Sequence, residues 1–313
     1  MVLLGGAVFF EGSEKKVEIV LAAGGQDLRN LERSFWDDLV AQCKATILSH
    51  ISNQKMQAFL LSESSLFVWN DRIVMITCGG TVLINSILSF VDIFGVDAID
   101  SIIYQRKNEY DPRRQESSFM DDVAILKNQL TGVALRFGHL DGHHNYLFNL
   151  EKKYAPAAND MTCELLMYQI QGPAADVLRA NQSAKNIREL IGFDKIAGDF
   201  AYDDFAFSPY GYSLNGIRGE DYITMHITPQ EDSSYISFET NIDLAKENVA
   251  IIEHLIDLFK PNSFDLITFN TNLNIHTDYL KGPLYRENIS CGYNVSFKQY
   301  FKQSNLQLRA IKL

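Results

Sequence analysis

Cysteine is scarce in this chain. Cys43, Cys78, Cys163 and Cys291 are the four, and no two stand at a metal-ligand spacing. With no secretory leader ahead of them they read as reduced thiols, which argues against a disulfide scaffold or a zinc ribbon. Proline is equally sparse, 7 residues scattered without a Pro/Ser-rich linker or low-complexity stretch to divide the chain. Positive charge is in deficit: 28 Lys+Arg against 39 Asp+Glu give a net charge of −11. That balance argues against nucleic acid or an anionic membrane as partner and is compatible with a cationic substrate or effector. Long apolar runs are missing too. Val82 to Val96 is interrupted by Asn85, Ser86, Ser89 and Asp92 and is too short to cross a bilayer. It reads as a buried amphipathic helix started by Thr81. The apolar start, Met1 to Phe10, has no basic leader and runs into Glu11, so a cytoplasmic protein is expected. No phosphate loop, zinc cluster or pyridoxal phosphate lysine is recognisable. His139, His143 and His144 fit no usual zinc pattern and read as a solvated turn, so no metal is expected.

What is present suffices for a large core, with 46% hydrophobic and 21% charged residues. Strand-like runs cover 16–22, 58–68, 73–77, 102–104, 132–137, 146–150, 222–228, 235–239 and 265–270. Helix-like runs cover 34–48, 81–96, 119–129, 160–168, 174–180 and 244–259. Strands come as hairpin-like neighbours, which favours an α+β protein of antiparallel sheets covered by helices.

Chemistry-bearing residues concentrate at one hairpin. Ser64 lies in the strand-like stretch Leu60–Val68, and Cys78 follows in Thr77-Cys78-Gly79. Trp69-Asn70-Asp71-Arg72 reads as the turn between them. Folding about Asp71 pairs residues whose numbers sum to 142, which sets Ser64 opposite Cys78, with Glu63 beside them. In Tyr222–Thr228 the alternation places Thr224, His226 and Thr228 on one face and Ile223, Met225 and Ile227 on the other. His226 thus projects from a polar face, either as a proton carrier or as a surface histidine.

The chain resembles the eukaryotic-type S-adenosylmethionine decarboxylases. Leu61-Ser62-Glu63-Ser64-Ser65 and Thr77-Cys78-Gly79 are similar to the family's processing and active-site region. Phe9-Phe10-Glu11-Gly12-Ser13-Glu14-Lys15, Asp27-Leu28-Arg29, Arg33-Ser34-Phe35-Trp36-Asp37 and Tyr104-Gln105-Arg106-Lys107-Asn108 match in order. So do Gly211-Tyr212-Ser213-Leu214-Asn215-Gly216, His226-Ile227-Thr228-Pro229 and Ser234–Thr240. The resemblance implies a four-layer α/β/β/α sandwich of two similar halves, forming a single domain over 1–313. It implies self-cleavage between Glu63 and Ser64 into a β chain, 1–63, and an α chain, 64–313, whose residue 64 becomes a covalent pyruvoyl group. That group is the electron sink for decarboxylating S-adenosylmethionine through a Schiff base, supplying spermidine and spermine biosynthesis. On the same footing, Ser64 attacks the Glu63 carbonyl, Ser213 holds the oxyanion, His226 removes the α-proton of the ester, and Cys78 reprotonates the substrate carbon. Phe10 and Phe207 stack on the adenine, and Glu11 joins the substrate-binding set.

Two positions depart from the family. Gln230 stands where a Glu normally binds the ribose hydroxyls, so the charge is lost. Ile76 stands where a Lys often organises the acidic patch at which putrescine activates the animal enzymes. Glu14, Glu18, Asp160, Thr162, Glu164 and Glu239 match that patch, and without the Lys it reads either as a site whose like charges bind or require putrescine or as an ordinary solvated face. Gln230 keeps a second reading open, a pyruvoyl enzyme for another amino acid such as ornithine or arginine. A third reading is a catalytically dead regulatory paralogue, against which the joint presence of Glu63, Ser64, Cys78, Ser213 and His226 speaks. A homodimer is expected as the commonest oligomer.

Overall fold

Eighteen strands and seven α-helices carry the described chain, in a computed structural model that describes residues 12–231, 233–247 and 249–303 and the backbone of 3–4 and 7–8. A short antiparallel pair, β1 (Leu3–Leu4) and β2 (Ala7–Val8), precedes the first half. That half holds β3 (Lys15–Leu21), α1 (Arg33–Gln42), β4 (Ile47–Ser52), β5 (Gln57–Leu61), β6 (Ser64–Val68) and β7 (Arg72–Thr77). Then come α2 (Leu83–Phe94), β8 (Ile99–Lys107), α3 (Phe119–Leu126), β9 (Gly132–Gly138) and β10 (His144–Leu150). The second half holds β11 (Thr162–Tyr168), α4 (Pro173–Arg179), α5 (Ala184–Ile191), α6 (Phe193–Ile196), β12 (Ala201–Ala206), β13 (Tyr212–Arg218) and β14 (Asp221–Thr228). It closes with β15 (Tyr235–Thr240), α7 (Ala250–Phe259), β16 (Ser263–Phe269), β17 (Leu280–Asn288) and β18 (Asn294–Phe301).

Each half is one eight-stranded antiparallel sheet. The orders are β4-β5-β6-β7-β3-β8-β10-β9 and β12-β13-β14-β15-β11-β16-β18-β17, the same path shifted by eight strands. The internal duplication expected from the resemblance is therefore written in the topology. Alternation gives each strand two working faces. One face of the first sheet buries Val17, Ile19, Leu66 and Met75 under Trp36 and Leu39 of α1, Leu83, Ile87 and Phe90 of α2, and Val123 of α3. The second sheet buries Leu165, Met167, Met225 and Phe238 under α4, α5 and α7 in the same way. The other faces meet each other. Phe67, Trp69, Val74 and Ile76 pack on Ile217 and Tyr222, and Ile103, Phe137 and Leu147 on Leu166 and Ile267. The layers are thus helix, sheet, sheet, helix.

Three local readings are corrected. The run 58–68 is two strands, β5 and β6, broken by a turn at Ser62-Glu63 so that Leu61 pairs with Ser64. The run 160–168 is strand β11, not a helix, because Thr162–Tyr168 is buried on both faces at the centre of its sheet, where periodicity carries no signal. The helix read over 34–48 stops at Gln42, and Ile47–Ser52 is edge strand β4. No helix among the described residues is long and apolar enough to cross a membrane.

Candidate active site

Ser64 and His226 come from topologically equivalent strands, β6 of one sheet and β14 of the other, and meet between the layers. The hairpin β6–β7 closes more tightly than the sequence suggests. Trp69 N–H donates to Arg72 O at 2.8 Å, so the turn is the two residues Asn70-Asp71 and paired numbers sum to 141. Ser64 therefore faces Thr77, and Cys78 faces Glu63, one residue from the expected register. The shift has a chemical consequence. Cys78 N–H donates to Glu63 O at 3.0 Å, and its Sγ lies 3.4 Å from the same oxygen. Two donors thus converge on the carbonyl oxygen that turns negative if Ser64 attacks. Thr81 Oγ1, donating to Cys78 O at 2.9 Å, braces the turn.

Ser64 has φ 133°, a region that favours glycine, so its backbone is strained by about 1–3 kcal/mol. The distortion turns two successive hydroxyls toward one ring, where a regular strand would point them apart. His226 Nε2 lies 2.8 Å from Ser64 Oγ, 3.3 Å from Ser65 Oγ and 3.0 Å from Thr224 Oγ1. Asn215 decides which hydroxyl donates. Its Nδ2 donates to Phe59 O at 3.1 Å, fixing the amide so that Oδ1 accepts from Ser65 at 2.6 Å and Thr224 at 3.1 Å. The Ser64 proton is then the one available to Nε2. The tautomer follows from the network: Nδ1–H donates to Ser213 Oγ at 2.9 Å.

His226 is buried, not a surface histidine, and burial pushes its pKa down to about 3, so the ring is neutral at pH 7 and its Nε2 lone pair is free to accept a hydrogen bond. Ser213 is tied to the ring rather than aimed at the Glu63 carbonyl. The described side chain that touches Glu63 O is that of Cys78.

A cavity of about 100 Å³ opens beside Ser64, lined by Glu63, Cys78, Phe207, Tyr210, Ser213, His226 and Gln230 among others. Phe207 reaches it as expected, its N–H held at 2.9 Å by the carbonyl of Gly211, itself at φ 131°. Phe10 and Glu11 lie outside the described residues. Gln230 Oε1 accepts from Ser233 Oγ at 3.0 Å. Burial raises the Glu63 carboxyl to about 7 against the pull of Lys15. Lys15, pushed down to about 8 by burial and by Arg106, donates to Gly79 O at 3.1 Å. Lys15, Ser65, Asn215 and Tyr210 were not singled out from the sequence. For Asn215 the signal was there, two residues after Ser213 on one face of a strand.

The acidic patch is present but is not a set of unopposed like charges. Lys16 Nζ sits 3.0 Å from Glu164 and 2.7 Å from Glu239, Lys107 pairs with Glu164, and Arg72 pairs with Glu18 at 3.0 Å and Asp160 at 2.5 Å. Glu14 is pushed up to about 8 by burial, although Ser237 Oγ donates to it at 2.5 Å. Thr162 lines a cavity of about 310 Å³ with Glu18, Arg72 and Asp160. Three cations thus stand among these carboxyls, Lys16 on β3, Lys107 on β8 and Arg72 on β7, the strand of Ile76 itself. No group of three His, Cys, Asp or Glu side chains suited to a metal occurs among the described residues.

The family model described as adenosylmethionine decarboxylase matches residues 7–308. The chain is 34% identical to a Xenopus laevis S-adenosylmethionine decarboxylase proenzyme, with 82% of each chain covered. It is 30% identical to the Drosophila melanogaster proenzyme, over 94% of this chain and 96% of that one. The solved Trypanosoma brucei AdoMetDC-delta26 monomer shares the fold, with a TM-score of 0.58 at 22% identity over 76% of this chain and 99% of that one.

Proposed function

Since the chain belongs to the adenosylmethionine decarboxylase family, we propose that it is a proenzyme whose own Ser64 becomes the catalytic carbonyl group. Its reaction is the loss of CO₂ from S-adenosylmethionine, which supplies the aminopropyl donor of polyamine biosynthesis. Nothing in the family or its relatives supports an ornithine or arginine decarboxylase or a dead paralogue.

The observation that carries the proposal is Ser64 Oγ at 2.8 Å from a neutral His226 Nε2, on strained backbone, beside a carbonyl held by Cys78. In the cleavage we propose, Ser64 Oγ adds to the Glu63 carbonyl carbon while His226 Nε2 takes the hydroxyl proton. Cys78 N–H and Sγ–H stabilise the oxyanion. The C–N bond then breaks, with the proton passing to nitrogen, and an ester joins Glu63 to Ser64 Oγ. His226 removes the Ser64 α-proton, the Cβ–Oγ bond breaks, and Glu63 departs as a carboxylate. The dehydroalanine left at residue 64 takes up water and releases ammonia, leaving a pyruvoyl group. Ser213 positions His226 through Nδ1.

Residue 64 fits such a group: it carries the β-oxygen, a base and an oxyanion donor within its own contacts. Once formed, the group supplies an electron sink for the pair left when CO₂ departs. The chain's residues do the rest. Phe207 offers a flat face to adenine, and Cys78 Sγ–H, at the cavity wall, is the acid in reach of the carbon that must regain a proton. The carboxylates expected to take putrescine are closed by Lys16, Lys107 and Arg72, so we propose that these cations replace the diamine.

Intact-mass measurement tests the proposal. The purified wild-type chain is expected as two fragments, 1–63 and 64–313, the larger with a carbonyl-reactive amino terminus. Ser64→Ala is expected as one chain of 35.5 kDa without decarboxylase activity. A wild-type chain that stays whole and inactive refutes it.

A further inference from the structure

Lys15 takes no part in the steps above, yet it stands on the strand-to-strand row that carries Ser64. Ser64 faces Thr77 across β6 and β7, Thr77 faces Lys15 across β7 and β3, and Lys15 faces Arg106 across β3 and β8. Lys15 is almost wholly shut off from solvent, and its Nζ donates to the carbonyl oxygen of Gly79 at 3.1 Å. A neutral carbonyl does not balance a charge. Glu109 and Asp122, the carboxylates that act on Lys15 from one side, are taken by Arg106 at 2.5 and 2.7 Å. No carboxylate among the described residues stands at ion-pair distance from Lys15 Nζ. A buried ammonium held in this way is costly unless an anion joins it. Its other neighbour is the bond that the chain cuts. Cys78 N–H holds Glu63 O at 3.0 Å, and Gly79, whose oxygen holds Lys15, is the next residue. Among the described residues Lys15 is also the one charge that bears on the Glu63 side chain, a carboxyl that burial raises to about 7. A cation thus stands beside residue 63 with no ion pair of its own, and cleavage creates an anion there, the α-carboxylate of Glu63.

We propose that Lys15 is the cation that receives the carboxylate released from Glu63, and that its charge promotes the elimination in which that carboxylate forms. The inference rests on the self-cleavage proposed above. In the elimination His226 Nε2 takes the Ser64 α-proton, the C–H pair becomes the Cα=Cβ bond, and the Cβ–Oγ pair leaves on Oγ as part of the Glu63 carboxylate. No proton comes from Lys15, whose charge stabilises the leaving group as negative charge gathers on it. Ester formation places its own negative charge on the oxygen that Cys78 holds. The charged and titratable groups facing Lys15 are Arg106 of β8, Glu109 after it, Asp122 of α3, Cys43 after α1, Cys78 after β7 and Glu63. Burial and Arg106 push Lys15 down to about 8, so it is mostly charged at pH 7 and mostly neutral at pH 9. His226, held near 3, does not titrate in that window. Glu63 completes its ionisation there, a change that a Lys15→Arg chain shares, whereas an arginine stays charged throughout.

The test follows freshly synthesised proenzyme, quenched at intervals into denaturant with hydroxylamine. Intact mass then separates the whole chain, the ester cut as a hydroxamate on 1–63, and the finished pyruvoyl chain 64–313. Because the acyl shift is reversible, the rate at which pyruvoyl appears reports the elimination even where little ester accumulates. From pH 7 to pH 9 the wild-type rate is expected to fall about tenfold relative to that of Lys15→Arg, as Lys15 loses its charge. At pH 7 Lys15→Met is expected to form pyruvoyl roughly 10- to 100-fold more slowly than wild type and to hold a larger fraction as ester. A ratio of wild-type to Lys15→Arg rates that stays flat with pH overturns the proposal, and it decides alone where Lys15→Met does not fold. So does a folded Lys15→Met chain that reaches pyruvoyl at the wild-type rate, or one that slows with less ester than wild type, which would set Lys15 at the acyl shift instead. A wild-type chain that never cuts itself overturns both this proposal and the self-cleavage on which it rests.

Discussion

His226→Ala is expected to slow self-cleavage by roughly 10²–10⁴-fold, the usual worth of a positioned general base. The two proton transfers assigned to His226 are not equally sensitive to its loss. Ester formation is intramolecular and relieves the strained φ of Ser64, so proximity and strain carry part of it without the ring. Removal of the Ser64 α-proton is carbon-acid chemistry and has no other described base in contact. The variant should therefore stall partly as the ester, which hydroxylamine cuts at 63/64 while leaving the amide whole. Mass spectrometry after hydroxylamine reads both species. Cleavage at the wild-type rate would move the base elsewhere. Ser213→Ala, which removes only the partner of Nδ1, should slow cleavage far less, because Asn215 still commits Ser65 and Thr224 and leaves Nε2 for Ser64. Since burial holds His226 near 3, the wild-type rate should not fall between pH 8 and 6 through protonation of this ring.

The parts of this site that lie within one hairpin were readable in the sequence, and the parts that depend on two sheets meeting were not. Alternation placed His226 on the polar face of its strand, but that face reads as solvent until a second polar face is known to cover it. Ser64 and Cys78 were brought together correctly as neighbours, yet a two-residue rather than a three-residue turn moved the partner by one, which sets Cys78 against the Glu63 carbonyl. The Ser62-Glu63 turn was invisible because Leu60 to Val68 has no glycine or proline to mark it. The strain at Ser64 is the cost of such a turn, and it is local sequence failing where chemistry is placed. β11 failed for the opposite reason. A central strand buried on both faces has no periodicity to read, so Thr162 and Glu164 were set on the wrong element.

The same central strands hold the second large effect. Lys16→Met is expected to destabilise the protein by about 3–5 kcal/mol, the usual result of removing one partner of a buried ion pair. Lys16 is almost fully buried between Glu164 and Glu239. Burial alone would lower its pKa, but these two carboxylates outweigh burial and hold the ammonium charged. Removing it leaves Glu164 with Lys107 and the Gln105 amide and leaves Glu239 with a neutral partner, the Tyr222 hydroxyl. On an unfolding entropy of about 2.1 cal/mol/K per residue, that loss lowers Tm by roughly 5–8 °C. A methionine of similar length leaves Glu239 without a cationic partner, and Tyr222, which donates to Glu239, lines a cavity of about 310 Å³ that opens on Glu18 and Asp160. The variant is therefore expected to regain part of its Tm and activity in millimolar putrescine, whose ammonium groups can stand where Nζ stood. Wild type, in which Nζ of Lys16 already occupies that place, should show neither response. Melting curves and decarboxylation rates with and without the diamine separate the cases. A wild-type enzyme stimulated several-fold would mean that Lys16, Lys107 and Arg72 do not complete the cluster. A Lys16→Met enzyme as stable as wild type would mean that the ion pairs add nothing over their desolvation, and the diamine would then have no deficit to fill.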